Sequence, residues 1–109
     1  MTQHFDLETT DGISVVTFSG PKVLPEAQDS LYSLAGSGHA RVVLDFSNVL
    51  LLSSKGLAIV FGLKKKLDAE GGRLRLCCLG SPVVEMLRVT HMDEILDVTG
   101  TREEALLGF

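Results

Sequence analysis

A chain of 109 residues has the length of one domain and can bury about two-thirds of its extended surface. Hydrophobic content of 45% and positive mean hydropathy argue for a folded core and against a disordered chain. The formal net charge of -4 leaves no basic surplus for nucleic acid or anionic lipid, and Lys64-Lys65-Lys66 reads as a solvated helical face.

In chain order, the first signal is alternation. His4-Phe5-Asp6-Leu7-Glu8 and Ile13-Ser14-Val15-Val16-Thr17-Phe18 flank Asp11-Gly12, whose residues tolerate positive φ. Two antiparallel strands are predicted. Gly20-Pro21 interrupts the chain, and Pro25-Glu26-Ala27 opens a helix running through Leu31 and Leu34 to Gly36-Ser37-Gly38. Arg41 to Phe46 is almost continuously apolar, as in a strand buried on both faces. Ser47-Asn48 turns the chain into a short apolar segment, Val49 to Leu52.

From Ser54 the period changes to that of a helix, with Ile59, Leu63 and Leu67 recurring every fourth residue until Gly71-Gly72. Arg73 to Leu79 predicts a strand. Ser81-Pro82 has the form of a cap with a first-turn proline before a helix over 83–89. Ile95 to Val98 is a last short strand, and Thr101 with Glu104 forms a capping box before a final helix. The fold class is α/β, as one domain over 1–109. Its mixed, mostly parallel sheet has about five strands, an antiparallel N-terminal hairpin and about four helices.

The chemistry of enzymes is poorly represented. His4, His39 and His91 lack spacing for a metal or for a nucleophile's base, and no G-x-S-x-G, P-loop or dinucleotide fingerprint occurs. Cys77 and Cys78 are expected to point to opposite faces of a strand, a poor geometry for a disulfide, and read as buried thiols without metal or redox duty. No cofactor is implied. MTQHFDLETT has none of the parts of a secretory signal, and no apolar run reaches the roughly 20 residues of a membrane span. A cytoplasmic protein without membrane insertion is the expectation.

Chemistry in such sheets gathers where a strand's carboxyl end meets a helix. Ser53-Ser54-Lys55-Gly56-Leu57 occupies such a junction. On local physics a serine there caps the helix. Gly56 reads as tight helix-to-sheet packing or close approach of another backbone, and Asp45 as a cap for Ser47-Asn48 or an acceptor for the serine hydroxyl.

Three stretches, Val42-Val43-Leu44-Asp45-Phe46-Ser47-Asn48-Val49, Leu52-Ser53-Ser54-Lys55-Gly56-Leu57 and Asp68-Ala69-Glu70-Gly71-Gly72-Arg73-Leu74, stand in an order that resembles the STAS domain of bacterial anti-sigma factor antagonists. The tail from Ser81-Pro82 through Glu103-Glu104-Ala105-Leu106 is similar to it as well. The resemblance implies phosphorylation at Ser54, with Ser53 the alternative, by an anti-sigma factor serine/threonine kinase. That kinase would be bound through Ser53, Ser54, Lys55, Gly56 and Leu57 in the unphosphorylated state, and a PP2C-type phosphatase would reverse the modification. Three features depart from the family pattern: Ser53 where aspartate is common, Lys55 where a small residue is usual, and Gly20-Pro21-Lys22-Val23 in place of a "GelD" segment. The same resemblance allows a non-switching subunit of a stressosome-like scaffold or a lipid-transport complex, and a plain dimerisation module is the structural rival. Oligomeric state stays open.

Overall fold

The computed structural model describes residues 4–109. Five strands form one sheet in chain order: β1 (Phe5–Thr10), β2 (Ile13–Phe18), β3 (Arg41–Asp45), β4 (Arg73–Cys77) and β5 (Asp97–Val98). β1 pairs antiparallel with β2 through the Asp11-Gly12 turn, where both residues have positive φ, and every later pair is parallel. In the parallel register Val16 lies opposite Leu44, and Leu44 opposite Leu76.

Each parallel step moves one strand in the same direction. Right-handed crossovers therefore stack the connecting helices on one face of the sheet. Those helices are α1 (Gln28–Gly36), α2 (Ser54–Ala69) and α3 (Ser81–Val89). Their Leu31, Leu34, Leu57, Val60, Val83 and Leu87 pack with Val16, Phe18, Val42, Leu44, Leu74 and Leu76 in the main core. The alternate residues Ile13, Val15, Val43 and Cys77 point to the other face, where α4 (Arg102–Leu106) covers them with Ala105.

Differences from the sequence reading are local. The first helix begins as a 3₁₀ turn at Pro25–Ala27. Gly80, not Ser81, is the N-cap of α3, because Ser81 already has helical backbone and Pro82 sits beside it in the first turn. The strand expected to reach Leu79 stops at Cys77, since Cys78 turns into the left-handed region at φ 61. Ile95 and Leu96 fall outside β5, which a 3₁₀ turn at Met92–Glu94 shortens to two residues. The Thr101–Glu104 capping box forms as read.

Asp45, only 3% exposed, ends β3 and ties these parts together. Its Oδ1 accepts from the Ser47 N–H at 2.8 Å, which makes it the cap of that turn. Its Oδ2 accepts from Arg102 Nε at 2.9 Å, and Arg102 Nη2 donates to Thr17 Oγ1 at 2.6 Å. Arg102 Nη1 lies 3.5 Å from Glu8 Oε1. One guanidinium at the start of α4 thus reaches β1, β2 and β3. Burial alone would raise the Asp45 carboxyl, but the Ser47 N–H and Arg102 outweigh it and hold the group below the usual carboxylate range.

A depressed folded-state pKa stabilises the fold above the unfolded value of about 3.9 and loses that contribution as pH falls further. Arg102→Ala, leaving Asp45 buried with one donor, should cost about 1–3 kcal/mol at neutral pH. It should also flatten the acid limb of stability below about pH 4, read by urea denaturation across a pH series. An acid limb identical to that of the unmutated chain would show that the pair does not carry it.

Candidate functional site

The segment after β3 is pinned before it reaches the serines. Phe46 N–H donates to Cys77 O at 3.0 Å, Asn48 Nδ2 to Phe18 O at 2.9 Å, and the N–H groups of Leu50 and Leu51 to Pro21 O at 2.8 and 3.3 Å. Val49 and Leu52 are buried as anchors, while Leu50 and Leu51 are 65% and 56% exposed. The chain arrives at Ser53 extended, with ψ 167.

The two adjacent serines then divide their roles. Ser53 is the N-cap of α2: its Oγ accepts from Gly56 N–H at 3.0 Å, and its carbonyl accepts from Leu57 N–H at 2.8 Å. Ser54 is the first helical residue and exposed. Among the described residues its hydroxyl has no hydrogen-bond partner, nor do the N–H groups of Ser54 and Lys55. These are the orphan donors expected at a helix start, where the backbone dipole favours an anion. Asp45 does not reach either serine hydroxyl, since its oxygens hold Ser47 and Arg102.

Of the other residues singled out, Lys55 is exposed, whereas Gly56 and Leu57 are buried. A Cβ added at Gly56 would lie 3.1 Å from Leu52 Cδ1 and 3.2 Å from Val23 O. Gly56 therefore serves intramolecular packing, with the Val23 segment as the backbone that approaches. Beside Ser54 opens a shallow groove of about 310 Å³, lined by Leu57, Ala58, Phe61, Met86, Thr90 and Met92 together with Ser54 itself. Leu50 and Leu51, just before Ser53 in the chain, are also exposed. Ser54 thus borders a mostly apolar groove. The groove was not foreseen, although Ser54, Ala58 and Phe61 on α2, and Met86 on α3 with Thr90 at its C-cap, have the helical spacing that could have shown it.

In the basic run Lys64 is partly buried and Lys65 and Lys66 are exposed. Lys64 pairs with Asp68 at 2.7 Å, and the ammonium groups of Lys65 and Lys66 lie 5.8 and 5.2 Å from the rings of Phe61 and Tyr32. One serine–histidine contact that spacing did not foresee joins Ser14 Oγ to His39 Nδ1 at 2.5 Å. Ser14 is 2% exposed on a central strand, so a substrate has no approach to its oxygen. His91 is exposed and pairs with Glu94 at 2.9 Å. Among the described residues no helix is long and apolar enough to cross a membrane.

Comparison with known proteins decides the family. The profile of the STAS domain matches residues 4–105. The chain belongs to the STAS domain family. A protein of Bordetella bronchiseptica, BtrV, named as an anti-sigma factor antagonist, is 30% identical over 94% of this chain and 91% of its own. A solved anti-sigma factor antagonist from Mycobacterium paratuberculosis superposes with a TM-score of 0.75 at 27% identity, covering 94% of this STAS domain and 89% of that chain. The Bacillus cell fate determinant SpoIIAA, solved in its phosphorylated form, superposes with a TM-score of 0.71 at 20% identity, covering 94% of this chain and 96% of its own.

The division between the serines is testable by stability alone. Ser53→Ala should destabilise the STAS domain by about 1 kcal/mol through the lost cap. Ser54→Ala should stay within about 0.5 kcal/mol of the parent. Urea midpoints at constant slope check both, and equal losses at the two positions would contradict the assignment.

Proposed function

We propose that this STAS domain is an anti-sigma factor antagonist whose docking onto an anti-sigma factor serine kinase is set by phosphorylation of Ser54. The observation that carries this reading is the exposed, unpartnered hydroxyl of Ser54 at the first turn of α2, on the rim of an apolar groove. The name of the relative BtrV and the phosphorylated form of SpoIIAA support it.

Phosphate on Ser54 would meet the free N–H groups and the positive end of the α2 dipole, so it stabilises the helix instead of melting it. The switch then acts at the interface. A group of about -1.5 to -2 charges, pressed against a surface shaped for a hydroxyl and apolar side chains, loses hydration without compensation. About 3 kcal/mol of lost affinity weakens binding more than a hundredfold. Lys55, exposed beside Ser54, offsets part of that charge and makes the switch shallower. A PP2C-type phosphatase restores the docking form.

Incubation with the cognate kinase and ATP should add one phosphate at Ser54, seen by intact mass and peptide mapping; modification at Ser53, or none, overturns the assignment. Ser54→Glu should weaken kinase binding by about a hundredfold relative to Ser54→Ala in calorimetry. Met86→Gln, which keeps the side-chain length at this half-buried position, should weaken it at least tenfold, measured on protein shown to be folded. Lys55→Ala should widen the affinity gap between phosphorylated and unmodified protein, and an unchanged gap removes Lys55 from the switch.

A further inference from the structure

The two cysteines do not diverge as strand alternation requires. Cys77 closes β4 with its side chain on the α4 face, wholly buried. Cys78, at φ 61, leaves the pleat and packs its half-buried side chain against the same cluster. The two Sγ atoms and an Asp45 carboxylate oxygen all lie within 4.8 Å of one another. The result is a paired dithiol of one half-buried and one wholly buried residue.

The surroundings discriminate among the chemistries open to such a pair. A direct disulfide is opposed. Adjacent Cα atoms stand about 3.8 Å apart, short of the roughly 4.4–6.8 Å that disulfides span. The peptide between the cysteines is also held at both ends, with Cys77 O accepting from Phe46 N–H at 3.0 Å and Cys78 N–H donating to Gly100 O at 3.2 Å. Closing an S–S bond would twist this peptide and break both hydrogen bonds. A tetrahedral divalent cation is opposed too, because it wants four donors and two thiolates. The cluster has three donors, the carboxylate among them already accepts from Ser47 and Arg102, and burial pushes the Cys77 thiol up.

A three-coordinate thiophilic centre avoids both difficulties. It bridges two sulfurs without drawing them to bonding distance, and its dithiolate complex is neutral. We propose that Cys77 and Cys78 form a bidentate binding site for trivalent metalloid compounds, of which an organic arsenic(III) oxide is the representative. The sulfur of Cys78 attacks arsenic first, and its proton passes to the arsenic-bound oxygen. The sulfur of Cys77 then closes the ring, its proton joins that oxygen, and water leaves. Two As–S bonds replace the bonds from arsenic to oxygen, and arsenic stays trivalent throughout. The site lies on the sheet face opposite α2, so its occupancy leaves the Ser54 groove uncovered.

The test is phenylarsine oxide added to the reduced full chain in thiol-free buffer, followed by intact mass. One chain should gain one arsenical less one water, and ethanedithiol should remove it. Cys78→Ser, at the half-buried position, should bind the probe at least a hundredfold more weakly, as should Cys77→Ala if it folds. The site is disproved if the parent forms no adduct, if Cys78→Ser retains it undiminished, if arsenic joins two chains, or if zinc binds stoichiometrically while the arsenical does not.

Discussion

The contact between Asp45 and Arg102 is the constraint on which the other parts depend. A carboxylate at the end of a central strand cannot be left buried without donors, because its desolvation would cost several kcal/mol. Ser47 supplies one donor and begins the turn that leads toward the serines; Arg102 supplies the others and brings α4 across the back of the sheet. The same guanidinium holds Thr17 on β2, so the hairpin is registered against β3 by side chains as well as by the ladder. Satisfying one anion thereby sets the take-off of the loop that ends at Ser53.

The one-sided stacking of helices explains where the groove lies. α2 and α3 follow successive strands over the same face, and between them the half-buried Phe61, Met86 and Met92 leave a depression that neither helix fills. Methionine suits such a surface, since its unbranched side chain adapts to partners of differing shape. Ser54 is at the edge of this depression because the helix that carries Phe61 also begins with that serine.

Much of this was legible in the amino-acid order because it is local. Alternation in Ile13–Phe18, the helical period after Ser54 and the Thr101–Glu104 box each draw on neighbours within a few positions, and each formed. What escaped is non-local or conformational. Arg102 and Asp45 are 57 positions apart, and nothing near either announces the other. The groove joins two helices from separate crossovers. Cys78 adopts a left-handed conformation that glycine or asparagine would have signalled, so the rule of alternating faces failed one residue beyond the strand. Ser81 lost its capping role to Gly80, because a residue that has already turned helical cannot also stand outside the helix.

Ser54 has helical backbone and lies inside the first turn of α2, anchored behind by Ser53 and the buried Leu52. An enzyme that threads its targets as extended strands would have to unwind that turn and forfeit the Ser53 cap before its catalytic groups met the oxygen. Under the proposed switch, the kinase would therefore have to recognise a prefolded shape and not an extended segment.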